Sequence, residues 1–398
     1  KTNVDFTIAH AEDAGGEIRL RTNNQGLRQD DETSYSKPAG CHRILILGDS
    51  HVDGVVENSE LCTARLAGFL NGTQGSASHE YFEVLNAGVA SYGPLQEYLW
   101  LRQYGVYYRP DLVVVVFYVG NDIVNLLRED IPYLEETPEG GFALAGYPIV
   151  GSHPASDEGR GAFFSVKRFL ERHLESYRLF RDLVKRSPLE GLVHSLGMAH
   201  RGEKTRAAQA RAQATSPGAV LQSLLQAHVA KTRPEDIECA FRRCRTILSW
   251  FLAEAEKIDA TCILVLLPSK QQLEKMDDQA RTRQAASILT LDETDLQFDE
   301  VVLSRVRSMA DSLGILVFDP LWEFREYRAA SGEPLYYRFD WHLNTSGHRL
   351  LAEALGRYVC DIILAAGDAE VARAGVTERA EIATGSRGAV PRRGRASK

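Results

Sequence analysis

The sequence predicts an α/β fold: a mostly parallel sheet covered on both faces by helices. Three observations carry this. Five short apolar runs recur along the chain, helical patterns lie between them, and turn-forming residues close the runs. Arg43-Ile44-Leu45-Ile46-Leu47 is the first run, ending at Gly48 after the loop signal Ser36-Lys37-Pro38-Ala39-Gly40. Leu61 to Leu70 has helical spacing, and Tyr81 to Asn86 reads as the second strand. Pro94 opens a helix carrying Leu95, Tyr98, Leu99 and Leu101, since proline suits a first turn. Asp111 to Tyr118 is the strongest strand pattern, β-branched and bounded by Pro110 and Gly120. Cys262 to Pro268 and Gly314 to Pro320 supply the fourth and fifth strands. The last helix runs from about Ser346 to Ala365, with Asn344 or Thr345 as N-cap.

The alternation defines the domain plan. Residues 1–40 are polar and read as an N-terminal extension; 41–365 form the α/β domain; 366–398 read as a disordered tail. Residues 125–235 interrupt the alternation and read as a helical insertion, amphipathic from Phe163 to Val184 and rich in Ala, Gln, Arg and Thr from Arg201 to Pro217. No internal repeat is visible.

Composition narrows the function classes. The chain has 398 residues and a formal net charge of −8, which argues against a general nucleic-acid binder despite basic residues near its end. No run reaches the ~18–20 apolar residues of a membrane span. The six cysteines form no C-x-x-C pair, so a zinc site is not expected. Their even number leaves disulfides and compartment open. A first residue that is not Met leaves room for an upstream export signal, and an exported or periplasmic location is one expectation. Oligomeric state is not encoded in any pattern found.

In a parallel sheet, functional groups gather at the carboxyl ends of the strands. Gly48-Asp49-Ser50-His51 follows the first strand, where a serine on a sharp strand-to-helix turn exposes its hydroxyl above the sheet. Taken alone the triplet reads as a plain turn with a helix cap rather than as a nucleophile. Asn86-Ala87-Gly88-Val89-Ala90-Ser91-Tyr92-Gly93 follows the second strand, with small residues that let a backbone N–H approach a substrate. Gly120-Asn121-Asp122 follows the third, and the Asn121 amide is a donor for a developing oxyanion. Asp340 and His342 sit two residues apart in a loop leading into the last helix, so one loop presents an acid and an imidazole together. The competing reading is a pair of helix caps. His348, one turn on, is expected to pack or cap. The Gly48 turn has neither the G-x-G-x-x-G pattern nor the lysine of a phosphate loop, which disfavours a nucleotide binder.

These four blocks, in this order, resemble the SGNH/GDSL hydrolase family over roughly residues 43–360, the insertion excluded. The resemblance implies a three-layer α/β/α sandwich with a central parallel sheet of about five strands. It implies Ser50 as nucleophile, His342 as general base and then acid, and Asp340 as its partner, with no metal or organic cofactor. The oxyanion hole would be the backbone N–H groups of Ser50 and Ser91 and the side-chain amide of Asn121; Asp49 would bond within its turn. Many members carry glycine where Ser91 stands, which makes Gly88 the fallback donor. Many also place the acid three residues before the histidine; the shorter gap here resembles a variant common among bacterial proteins tied to cell-surface polysaccharides.

The function that follows as an expectation is serine-dependent hydrolysis of carboxylic esters through an acyl-enzyme. Short acyl groups such as acetyl, on a small molecule or a glycan, are the expected substrates. An O-acyltransferase acting on a cell-surface or exported polysaccharide shares the first half-reaction and is the alternative, with the insertion as lid or glycan groove and Tyr133, Tyr147, Phe163 and Phe164 as stacking or core aromatics. A non-catalytic binding protein that keeps the fold is the third reading.

Overall fold

Five strands pair side by side in the order Tyr81–Gly88, Cys41–Gly48, Leu112–Tyr118, Thr261–Leu267 and Leu316–Phe318, every neighbouring pair parallel. The computed structural model describes residues 1–10, 12, 16–73, 81–127, 133–138, 140–145, 218–273, 286–287, 289–338 and 340–363. In chain order these contain β1 (Asp5–Ala9), β2 (Glu17–Arg21), β3 (Cys41–Gly48), α1 (Ser50–Asp53), α2 (Cys62–Thr73), β4 (Tyr81–Gly88), α3 (Pro94–Gln103), β5 (Leu112–Tyr118) and α4 (Asp122–Asn125). They continue with β6 (Tyr133–Glu136), β7 (Phe142–Ala145), α5 (Gly218–Thr232), α6 (Pro234–Glu256), β8 (Thr261–Leu267), α7 (Lys270–Leu273), α8 (Phe298–Leu313), β9 (Leu316–Phe318), α9 (Leu321–Ser331) and α10, residues 345–363.

The period of two along each strand divides the core into two layers. Leu45, Leu47, Val113, Val115 and Phe117 face α3, α6 and α8, packing on Tyr98, Phe241, Phe251 and Val306. Ile44, Ile46, Val114, Val116 and Val265 face the other way, onto Leu66 of α2, Phe324 of α9 and Leu351 and Leu355 of α10. A strand buried on both faces has no polar side to show, which is why all seven residues of β5 are apolar or aromatic and buried. The fold is therefore a three-layer α/β/α sandwich on a five-stranded parallel sheet. Strand order reverses between β3 and β5, and such a switch point opens a crevice at the carboxyl ends of the strands.

The regions outside the sheet differ from their sequence-based expectations. Residues 1–40 contain the antiparallel pair β1–β2 and dock firmly. Leu27 enters the core, the Arg28 amide donates to the Asn86 carbonyl at 3.2 Å, and the Arg28 side chain donates to the Val56 carbonyl at 2.9 Å. The stretch expected to be a helical insertion at 125–235 includes a second antiparallel pair, β6–β7. Its carboxyl-terminal part is helical, but α5 is a core element: Gln226 is fully buried and donates to the Val119 carbonyl and to Asp299. The segments 163–184 and 201–217 and the tail 366–398 lie outside the described residues. So do Tyr147, Phe163 and Phe164, while Tyr133 sits in β6. All six cysteines are free thiols. No helix among the described residues is long and apolar enough to cross a membrane, and none of their His, Cys, Asp and Glu side chains form a group suited to a metal ion.

Candidate active site

Ser50 opens α1 directly beyond β3. The turn is tight because glycine allows it. A Cβ on Gly48 would lie 2.4 Å from Val52, and one on Gly88 would lie 2.3 Å from the Asp53 amide nitrogen. Real side chains do not tolerate such contacts, so the end of β4 can press against α1 only as glycine. Asp49 caps the turn: its Oδ1 accepts the His51 N–H at 2.8 Å, and its Oδ2 accepts the Asn121 amide at 3.3 Å. Asp49 thus joins the turn after β3 to the turn after β5. Asn121 keeps a second amide hydrogen on the same nitrogen.

The second block is anchored by Asn86, wholly buried at the end of β4. Its amide donates to the Val52 carbonyl and the Thr63 hydroxyl, and its Oδ1 accepts the Gly88 N–H at 2.9 Å. Gly88 is therefore engaged internally and does not serve as the fallback donor. Ser91 has a φ of 70°, the left-handed region where glycine is at ease, and it is one of few non-glycine residues here. The backbone thus adopts at Ser91 the conformation that a glycine would take without strain.

The acid and the imidazole come from a loop between α9 and α10. An isolated bridge joins Tyr336 to Leu343, and the Tyr337 N–H donates to the His342 carbonyl at 3.1 Å. Lys270 of α7 donates to the carbonyls of Tyr337 and Arg338, and Asn344 caps α10 through the Gly347 N–H. The result is a pinned loop with Asp340 and His342 near its tip. Asp340 Oδ1 accepts both the His342 backbone N–H, at 2.9 Å, and His342 Nδ1, at 2.5 Å. With Nδ1 so engaged, Nε2 is the basic nitrogen, and it is buried with no hydrogen-bond partner. The ring lies 5.1 Å from that of His51, the residue after Ser50, and His51 in turn lies 3.8 Å from the Tyr118 ring. The described structure thus brings Ser50, Asn121, Asp340 and His342 to one end of the sheet. No hydrogen bond joins the Ser50 hydroxyl to His342; such bonds tighten when substrate binds.

Electrostatics at this end are set by burial and by one carboxylate. Burial pushes the His342 pKa down, but Asp340, with Asp49 and Asp53 behind it, outweighs burial and raises it above the ordinary value. Burial works against charge on Asp340 as well; the opposing charge of His342 and hydrogen bonds from His10 and His342 hold its carboxyl well below the usual range. His51 goes the other way: burial, then His342, keep it neutral far below its ordinary pKa. His348 is fully buried, accepts the Cys62 N–H at 3.3 Å, and is driven down to about 3, mainly by burial. It packs, as expected from its place inside α10.

Three further residues reach the site without having been singled out. His51 and Asp53 follow Ser50 directly, so proximity in sequence was their only signal. His10 is the third: it lies in the N-terminal extension, and its Nε2 stands 3.5 Å from Asp340 Oδ2. Nothing in the sequence marked it.

The fold and the placement of these groups define an α/β protein with an acid–imidazole pair and a serine at the switch point of its sheet. No family model matches the chain, and none of the curated proteins does. Solved structures do match. An acetyl xylan esterase, AlAXEase, aligns with 80% of this chain and 99% of its own at 14% identity and a TM-score of 0.39. The acetylxylan esterase Axe2 from Geobacillus stearothermophilus aligns with 79% of this chain and 93% of its own at 11% identity, TM-score 0.38. LAE5, an alpha/beta hydrolase enzyme from the metagenome of Lake Arreo, Spain, aligns with 81% and 96% at 13% identity, TM-score 0.38.

Proposed function

We propose that the protein is a serine ester hydrolase whose triad is Ser50, His342 and Asp340. One observation carries the reading: His342 is held through Nδ1 on Asp340, and its bare Nε2 is buried beside the Ser50 turn. A capping histidine would spend its ring nitrogens on backbone groups. This one keeps a nitrogen in reserve, at a raised pKa, next to the residue that follows the strand turn.

In the reaction, His342 Nε2 takes the Ser50 hydroxyl proton as Oγ attacks the ester carbonyl. Negative charge develops on the carbonyl oxygen, where the N–H groups of Ser50 and Ser91 and the Asn121 amide are its donors. Collapse expels the alcohol, which receives the proton from His342. Water then attacks the acyl carbon as Nε2 takes one of its protons; collapse breaks the bond to Ser50 Oγ, releases the acid and returns that proton from His342 to Oγ. Asp340 stabilises the imidazolium formed in each half-reaction and fixes its tautomer.

Short acyl groups are the substrate class proposed, acetyl first, because no long apolar lid segment is evident in the sequence around Ser50. The test is turnover of p-nitrophenyl acetate by wild type and Ser50→Ala, with a chain-length series beside it. Loss of turnover in the variant is expected, with rates falling from acetyl to octanoyl. Equal rates in the two proteins reject the nucleophile. If an added oligosaccharide becomes acetylated in place of water, the second half-reaction is a transfer.

A further inference from the structure

The N-terminal extension reaches across the molecule to the acid of the proposed triad. His10 follows β1, and its side chain is only 11% exposed. Its ring packs against that of Tyr337, tilted by 50° with centroids 4.3 Å apart. Its Nε2 faces the outer oxygen of Asp340 at 3.5 Å. Two residues on, Glu12 accepts the backbone N–H groups of Arg338, at 2.5 Å, and of Asp340, at 3.1 Å. One short segment thus grips the loop by its backbone and its acid by the side chain. Tyr337 is fixed from behind, its hydroxyl donating to the Val55 carbonyl at 3.0 Å, so the surface His10 rests on does not give way.

The need for such a grip is visible in the acid. Asp340 is 28% exposed at its side chain, and the loop gives its Oδ1 to His342 twice while Oδ2 faces His10 at 3.5 Å. A carboxylate with one oxygen unanchored rotates about its last bond, and the partner imidazole follows it. A donor on Oδ2 closes that motion. It also draws charge toward Oδ2 and so moderates the pull of Oδ1 on the imidazole.

We propose that His10 is a positioning residue for the acid, its Nε2–H holding Asp340 Oδ2 so that Oδ1 stays on His342. The proposal rests on the triad reading above. His342 is faced by Asp340, Asp49, Asp53, His51 and His348, and Asp340 by His342 and His10, with the Glu12 carboxylate on its backbone. Of these, His10 and Glu12 come from the extension, and His10 is the one whose side chain faces the far oxygen.

The test compares His10→Phe, which keeps a ring on Tyr337 but has no N–H, with His10→Gln, whose amide places a donor near the position of Nε2. Both are assayed as full-length protein on p-nitrophenyl acetate across pH 5–9, with thermal melting alongside. In His10→Phe, kcat falls about tenfold or more with KM little changed, as expected for loss of alignment. The acidic limb of its kcat/KM profile moves to higher pH, because Asp340 without its donor pulls harder on the His342 proton. His10→Gln restores most of both. Wild-type kcat and pH profile in His10→Phe overturn the proposal, and so does an equal loss in the two variants, which makes the role one of bulk. Should either variant melt out before assay, truncation to His10→Ala is measured instead, with the same two readouts and imidazole added as rescue; no rescue and an unmoved profile reject the proposal. Ser50→Ala separates the layers: if it stays active, the triad reading itself fails, whereas an inactive Ser50→Ala beside an unchanged His10→Phe rejects only the role of His10.

Discussion

The two ends of the central sheet treat buried polarity in opposite ways. At the amino end, Arg43 is 1% exposed and fully employed. It donates to Glu83 through Nε at 2.7 Å and to the Tyr108 carbonyl through Nη1 at 2.6 Å. Its backbone N–H goes to Asp111 at 2.7 Å, and Asp111 takes Lys37 at 2.6 Å. At the carboxyl end, Nε2 of His342, both nitrogens of His51, both oxygens of Glu97, and one oxygen each of Asn121 and Asp122 are buried without partners. An unpartnered buried polar group costs about 1–3 kcal/mol. One end is built as a closed network, the other holds groups in reserve. The difference separates polarity spent on stability from polarity that, on the proposed function, is available for chemistry.

Substitutions at the two ends break that contrast in different currencies. The largest effect belongs to Asp340→Asn, which leaves the loop geometry but offers His342 the wrong partner. Turnover of p-nitrophenyl acetate is expected to fall about 10⁴-fold. Residual activity is expected to follow a kcat/KM profile whose acidic inflection lies at lower pH, because the carboxylate that raises the His342 pKa is gone. An inflection at the wild-type pH would mean that another group holds His342.

Next comes Arg43→Met at the closed end. Removing one partner of a buried pair typically costs about 3–5 kcal/mol, and the partial exposure of Glu83 places this pair near the lower figure. Urea unfolding should record that loss, while kcat per folded molecule stays at the wild-type value. A drop in kcat would show the two ends to be coupled through β3.

Asn121→Ala follows, with kcat expected to fall about 10²–10³-fold and KM nearly unchanged, as for loss of one oxyanion donor. A change confined to KM would make Asn121 a ground-state contact only. The smallest effect is that of Glu97→Gln. Burial, then Asp122 and Asp49, raise the Glu97 pKa well above its ordinary 4.5. The folded protein therefore keeps a proton that the unfolded chain gives up, and the associated stability, complete below pH 4.5, drains away as pH rises through the folded value. Melting temperature should fall less steeply between pH 5 and 8 in Glu97→Gln than in wild type. Identical slopes would show that the carboxyl is not held neutral.

The same contrast explains what was legible in the sequence. All five strands of the parallel sheet were visible because burial on both faces leaves continuous apolar runs such as Val113–Phe117, and turn residues mark their ends. Ser50 and Asn121 were legible because each follows a strand within a short block, and Asp340 and His342 because they sit two residues apart in a loop leading into the last helix. The hairpin β1–β2 was missed because five-residue strands with alternating exposure, as in Asp5–Ala9, do not stand out from a polar segment. The pair β6–β7, with four residues each, is shorter still. His10 was illegible for a different reason. It is a lone histidine whose partner lies at the far end of the chain, and no local pattern encodes such a contact. Gly88 and Ser91 show the limit within a legible block: which backbone N–H is already spent is decided by Asn86 and by a φ angle, not by spacing.

The closure of the loop 335–344 against the segment holding His10 and Glu12 has one more consequence. A ribosome delivers Ser50 and the first three sheet strands early, yet the base arrives only after nearly the whole domain has been made. In the proposed triad, the serine lacks its proton acceptor until His342 has emerged, and that base lacks its full alignment until His10 has found Asp340. On that reading, the appearance of esterase activity in a translation reaction would time the emergence of His342.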